Sequence, residues 1–387
     1  MTASPKEAEP PPAVSLGRLA LLFLKLGTLA FGGPAAHIAM MEDELVRRRQ
    51  WVRAADFLDL LAVANLLPGP SSTELAIFLG YRLCGVAGLL LAGTCFVLPA
   101  FLIVASIAWA YVLYGHLPAA AGLLYGVKPV VIAIVLQALW RLGRSAFKTR
   151  LSAALGLLAL AVSFAGVPPL PVLAGTAIVA AAVARIRRPR SAEAALGAVV
   201  PVLPLAGGAA GGAGLSGIFL VFLKVGAVVF GSGYVLLAFL RADLVVQRHW
   251  LTEAQLLDAI AVGQVTPGPV FTTATFIGYV LKGLPGAVVA TVGIFAPAFL
   301  FVAATGPLVR ALRSSRLAGA ALDGLNAGSL ALMAFVTWQL GRTAIVDRMT
   351  LGLAIVSAFL LFRYRLNATW LVLGAGLLGA GLALAGS

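Results

Sequence analysis

The stretch LFLKLGTLAFGGP at residues 22–34 returns, little changed, as VFLKVGAVVFGSG at residues 221–233, and this repetition decides the fold. Lys25, Gly27, Phe31 and Gly32 fall on Lys224, Gly226, Phe230 and Gly231, 199 residues further on. The same offset carries Glu44-Leu45-Val46 onto Asp243-Leu244-Val245, Arg49 onto Arg248, Trp51 onto Trp250 and Asp59 onto Asp258. It also superimposes Pro68-Gly69-Pro70 on Pro267-Gly268-Pro269. After a one-residue deletion the offset becomes 198: Gly80-Tyr81 meets Gly278-Tyr279, Pro99 meets Pro297, and Leu142-Gly143-Arg144 meets Leu340-Gly341-Arg342. One shared PGP in a glycine-rich chain would be chance, but an ordered series over more than 100 residues marks a duplicated unit. The copies run over 16–186 and 216–387, joined by an Arg-rich, then Ala/Gly/Pro-rich linker at 187–215. A Pro- and Glu-rich tail at 1–15 precedes them and reads as disordered.

Composition sets the solvent. Of 387 residues, 61% are hydrophobic and 11% charged, against about 25% charged in soluble domains. Mean hydropathy is +1.02. Apolar stretches recur from residue 17 to the C-terminus, each near the roughly 20 residues that cross a bilayer as a helix. Alternating strand patterns are missing, so helices satisfy the backbone, and the class is an all-α polytopic membrane protein. No basic n-region with a short apolar core and cleavage site opens the chain, so no cleaved signal peptide is expected. The formal charge of +14 fits Lys and Arg gathered in cytoplasmic loops, and no nucleic-acid partner is expected. Cys84 and Cys95 sit in apolar segments and read as packing residues. No metal pattern, P-loop, dinucleotide fingerprint or nucleophile elbow occurs, so no cofactor, metal or enzyme activity is expected.

Spans are expected at 17–38, 85–113, 119–141, 151–167 and 168–186, and at 216–239, 284–308, 318–341, 349–363 and 366–386. Two more apolar segments, 54–81 and 254–280, are each cut by a PGP into half-helices too short to span alone. Charge decides how these run. RLGRSAFKTR (141–150) and RIRRPR (185–190) belong on the cytoplasmic side. If both PGP segments are re-entrant hairpins, RRRQWVR (47–53) and RALRSSR (310–316) join them, and the less basic loop 241–253 lies outside. About ten spans plus two broken hairpins result, with the halves inverted, which is a transporter architecture.

Lys25 and Lys224 are the leading candidates for chemistry. A lysine at membrane depth costs about 2.5–3.5 kcal/mol and usually faces a polar cavity, unless it snorkels to the interface. Two ammonium groups approaching from opposite sides would suit a divalent anion. The glycine-rich breaks holding Gly32 and Gly33, and Gly231 and Ser232, permit an unwound turn that bares backbone N–H groups; tight helix packing is the alternative. Beyond each PGP a half-helix begins, and its N-terminus is a ready anion site. Ser71, Ser72, Thr73, Thr272 and Thr273 add hydroxyls there, and Asn65 and Gln264 add amides just before the breaks. Ser71 and Glu74 match a capping box, so Glu74 either caps or carries a coupling proton.

FGGP with MEDELVRRRQWV, DFLDLLAVANLLPGP, and the second-half FGSG, DLVVQRHWLT and GQVTPGP together resemble the chromate ion transporter family in its long two-domain form, over nearly the whole chain. The resemblance implies two homologous domains of opposite orientation in a bacterial inner membrane, exporting chromate, conferring chromate resistance, with sulfate as competitor. It implies chromate and the lipid bilayer as partners and leaves a homodimer open. Gly-Ser-Gly in place of Gly-Gly-Pro implies that the halves are not identical in function. The expectation is a secondary transporter working by alternating access, against a general sulfate or oxyanion carrier and a passive anion channel.

Overall fold

The computed structural model describes residues 14–30, 33–115, 117–147, 149–187, 213–230, 235–305, 316–364 and 366–385. All regular structure among them is helical. The first copy holds α1 (Leu16–Leu29), α2 (Pro34–Glu42), a π-helical turn π1 (Asp43–Arg48), α3 (Ala54–Ala64), α4 (Ser71–Tyr114), α5 (Pro118–Ala146), α6 (Arg150–Phe164) and α7 (Pro169–Arg187). The second holds α8 (Leu215–Val228), α9 (Leu236–Leu240), π2 (Arg241–Gln247), α10 (Glu253–Val265), a 3-10 turn (Val270–Thr272), α11 (Thr273–Thr305), α12 (Arg316–Ala344), α13 (Arg348–Arg363) and α14 (Ala368–Ala385). Nearly all of the expected tail and linker lie outside the described residues, as does most of RALRSSR.

Six helical stretches among the described residues are long and apolar enough to cross a bilayer, all in α4, α5, α7, α11, α12 and α14. They coincide with six of the ten expected spans. With 15 and 16 residues, α6 and α13 fall short of the usual length. The expected spans 17–38 and 216–239 need correction, because each is two short arms rather than one helix. In the first, α1 ends at Leu29 and α2 restarts at Pro34, whose fixed φ suits the first helical position, behind Gly33 at φ 77. The second arm then returns beside the first: Lys25 on α1 reaches Glu44 on π1. In the second copy Trp250, just past π2, lies over Gly217 at the start of α8, where a Cβ would be 3.2 Å from the indole.

Each copy folds sharply once more beyond its PGP. After Pro68-Gly69-Pro70, α4 runs to Cys84 and Gly85 (φ 60), folds sharply, and continues to Tyr114; α11 repeats this at Lys282 and Gly283 (φ 59). The limbs of each fold touch backbone to backbone, because Gly80 faces Gly88 and Gly278 faces Gly286 with no Cβ between. The π turns recur too, each followed by a residue at positive φ, Gln50 (53) and His249 (52), and an arginine stacked on a tryptophan.

The copies interlock. Gly122 and Gly126 of α5 abut the backbone of α14 at Gly379 and Ala375, while Gly324 and Gly328 of α12 abut Thr176 of α7. Each copy's long helix thus packs on the last helix of the other. Outside this shared core, Ile186, Leu377, Trp370 and Leu21 stand 70% or more exposed, as lipid-facing side chains should. A methyl group at Gly80 or Gly278 would collide with a backbone carbonyl that cannot move aside. Gly80→Ala and Gly278→Ala should each cost about 3 kcal/mol, read as a lower melting midpoint in detergent. Gly352→Ala, with open space around it, should match the parent.

Candidate functional site

Four broken ends converge where the copies meet. The Gly69 N–H donates to the Val229 carbonyl at the end of α8 (2.7 Å), and the Gly268 N–H donates to the Ala30 carbonyl at the end of α1 (3.0 Å). Residues 30 and 229 are equivalents, as are 69 and 268, so each PGP closes the open end of the other copy's first helix. Ala298 lies near Gly69 and its equivalent Ala100 lies near Gly268, so the surroundings match as well. The Ala30 carbonyl is also 3.1 Å from His37 Nε2, and His37 Nδ1 is 3.1 Å from the Ser72 hydroxyl. A carbonyl only accepts, so the imidazole proton sits on Nε2 and Nδ1 accepts from Ser72.

The lysines do not reach this junction as free cations. Lys25 Nζ lies 2.6 Å from Glu44 Oε1, and Arg49 Nε lies 3.1 Å from Glu44 Oε2. Lys224 Nζ lies 2.7 Å from Asp243 Oδ1. In both copies the carboxylate sits 19 residues after the lysine, in the π turn, and pins the returning arm to the first one. The signal was visible, since Glu44 and Asp243 are superimposed by the repeat, but nothing local says that the intervening chain doubles back.

Several hydroxyls serve the fold. Thr272 and Thr273 donate to Pro269 and Val270 in their own turn, 2.8 Å each. The capping box is corrected as well: α4 has Pro70 at its N-cap, whose carbonyl accepts from Thr73 and Glu74, and Ser71 is the first helical residue. Glu74 is instead fully buried against Gly69, with neither carboxyl oxygen hydrogen-bonded, and Thr73 Oγ1 beside it is also unpartnered. Asn65 caps α3 at an exposed position. Gly32, Gly231 and Ser232 lie outside the described residues.

A cavity of about 610 Å³ opens beside the junction. Gly33, Gln264 and Gly268 line it together, which brings three of the expected residues to one place, and the last turns of α5, the end of α13 and the start of α14 line much of the rest. Neither Lys25 nor Lys224 lines it. Farther out, Lys128 on α5 is 3.1 Å from Asp258 Oδ1, and the Tyr111 hydroxyl donates to Asp258 Oδ2 at 3.0 Å, tying α4 and α5 to α10 of the other copy.

Comparison with known proteins agrees with this duplicated plan. A family model described as "Chromate transporter" matches residues 17–184 and 216–380. The chain is 36% identical over 374 residues to the chromate transport protein of Cupriavidus metallidurans, covering 95% of this chain and 93% of that one. It is 35% identical over 399 residues to the chromate transport protein of Pseudomonas aeruginosa, with 98% and 95% covered. An uncharacterized transporter of Methanocaldococcus jannaschii is 26% identical over 355 residues, 88% of each. No solved structure matches the chain.

The ion pairs differ in depth of support. Glu44 keeps Arg49 when Lys25 is removed, whereas Asp243 Oδ2 is buried with no hydrogen-bond partner. Lys224→Ala should therefore cost about 3 kcal/mol and Lys25→Ala distinctly less, measured as melting midpoints in detergent. The double variant Lys224→Ala/Asp243→Ala should recover most of the loss.

Proposed function

The chain belongs to the chromate transporter family, which comprises membrane transporters and not enzymes, and on that premise we propose that it exports chromate across a bacterial inner membrane as a secondary active carrier. The observation that carries the reading is the reciprocal closure of the junction, Gly69 on Val229 and Gly268 on Ala30, with a cavity leading to it. Two equivalent sets of broken helices meeting at a midplane are what alternating access needs, because exchanging the arrangement of the copies moves the opening to the other face. Chromate would meet backbone N–H groups at the breaks near Gly33 and Gly268 and the Gln264 amide. Sulfate, a tetrahedral dianion of similar size, presents the same acceptors, so a general oxyanion carrier is the alternative outcome of the test below.

The inverted arrangement is supported by following the chain between fixed points. Cys84 Sγ, at the fold of α4, donates to the Val14 carbonyl beside the start of α1, and Arg82 lies 4.0 Å from Asp56 at the start of α3. Those ends share one face. From there the second limb of α4 runs to Tyr111, which holds Asp258 near the start of α10. The hairpins of the second copy thus enter from the opposite face. The basic segments 47–53 and 141–150 then share the first face, which is cytoplasmic by the charge rule. Cysteines at Gln50 and Gln247, in a background lacking Cys84 and Cys95, should label from opposite sides of the membrane; labelling from one side would overturn the inverted reading.

Glu74 is the proposed site of the coupling proton. Its side chain is fully buried against Gly69 of the junction, with no cation or hydrogen-bond donor on either oxygen, so an opening of the junction would expose it. The test is radiolabelled chromate flux into proteoliposomes of the purified protein. Saturable flux that a pH gradient accelerates, and that unlabelled sulfate inhibits weakly, is expected. Glu74→Gln should keep chromate–chromate exchange and lose the acceleration. Non-saturating flux would sink the carrier reading in favour of a channel, and full block by equimolar sulfate would make this a general oxyanion carrier.

A further inference from the structure

Removing the lysines from the list of free cations leaves the cavity without the charge a dianion needs, unless other residues supply it. The last turns of α5 do. Arg141 and Arg144 both line the cavity, both are exposed, and no carboxylate among the described residues pairs with either. The described lining contains no acidic residue at all. Arg144 is held in place by stacking on the indole of Trp140, its guanidinium 5.0 Å from the ring centre, and Trp140 lines the same cavity.

We infer that Arg141 and Arg144 form an oxyanion-capture site at the mouth of this cavity, taking tetrahedral dianions such as chromate or sulfate before they reach the junction. A guanidinium presents a planar fork of donors that matches two oxygens of an oxyanion, and stacking pre-sets its orientation so that less freedom is lost on binding. A cleft with low-dielectric walls and charge of one sign also concentrates counter-ions. The equivalent positions in the other copy are Trp338, Gln339 and Arg342, so one arginine of the pair is replaced by a neutral amide. Two cations therefore stand at this mouth, where the equivalent turn of the other copy carries one. This inference rests on the carrier reading for its role in transport and adds a direction to it: capture is stronger from the face that bears the basic loops, as export requires.

The site can be tested by binding alone. Ala368 also lines the cavity, and Ala368→Cys in a Cys84→Ser/Cys95→Ala background gives a reporter of occupancy. The rate of its reaction with a charged maleimide, in membranes open to the cytoplasmic face, would be followed against sodium sulfate at constant ionic strength set with sodium chloride. Sulfate should slow labelling with a defined midpoint. Arg141→Gln/Arg144→Gln should raise that midpoint at least tenfold, and Arg141→Lys/Arg144→Lys should restore part of the affinity. Equal protection by sulfate and chloride, or an unchanged midpoint in the glutamine variant with the labelling rate intact, would overturn the site. Sulfate protection without any chromate flux would overturn the carrier reading and leave the capture site standing. Chromate flux with protection indifferent to the arginines would do the reverse.

Discussion

Everything in this molecule depends on a backbone problem. A helix broken inside a bilayer leaves N–H and C=O groups with no water to take them, at a cost of several kcal/mol each. Here the cost is met by exchange: the PGP of each copy lends its glycine N–H to the carbonyl at which the other copy's first helix stops. Only glycine fits, since Gly69 and Gly268 take φ of 137° and 94°, where a side chain is strained. Neither copy can satisfy its own ends in this way. Duplication is therefore part of the chemistry of the junction, and the interlocked long helices are the wider expression of the same dependence.

The second constraint is charge. Each lysine on a first helix is neutralised by a buried carboxylate on the arm that returns beside it, so its charge serves to hold a hairpin closed. That shifts the electrostatic centre of gravity. Beside the junction stand the Gln264 amide and, farther along the cavity, two arginines, while Glu74 is fully buried with no hydrogen bond on either carboxyl oxygen. The carboxylates of the π turns hold shape, whereas the Glu74 carboxyl makes no hydrogen bond or ion pair that would give it such a role.

The pseudo-symmetry is imperfect where it matters. The glycines at the folds agree closely between copies, with φ of 60° at Gly85 and 59° at Gly283, and the close contacts of Gly27, Gly80 and Gly126 recur at Gly226, Gly278 and Gly324. Side chains differ: Glu74 answers to Thr273 in the other copy, Arg141 to Gln339, and Lys128 to Asn326. The scaffold is shared between the copies, and the side chains that differ stand at or near the junction and its cavity.

The amino-acid sequence by itself determined the solvent, the duplication and the places where helices break. Those follow from local information: apolar runs of bilayer length, residues recurring at offsets of 199 and 198, and prolines and glycines that interrupt a helix wherever they stand. It also put Gly33, Gln264 and Gly268 among the site residues, because each adjoins a break. Only the tertiary structure decided that 17–38 and 216–239 double back, that the lysines meet Glu44 and Asp243, that Glu74 does not cap, and that Arg141 and Arg144 border the cavity. Each of these turns on the angle at which the chain leaves a glycine. A glycine admits so many angles that its neighbours in sequence do not choose among them, and contacts made from the other copy do.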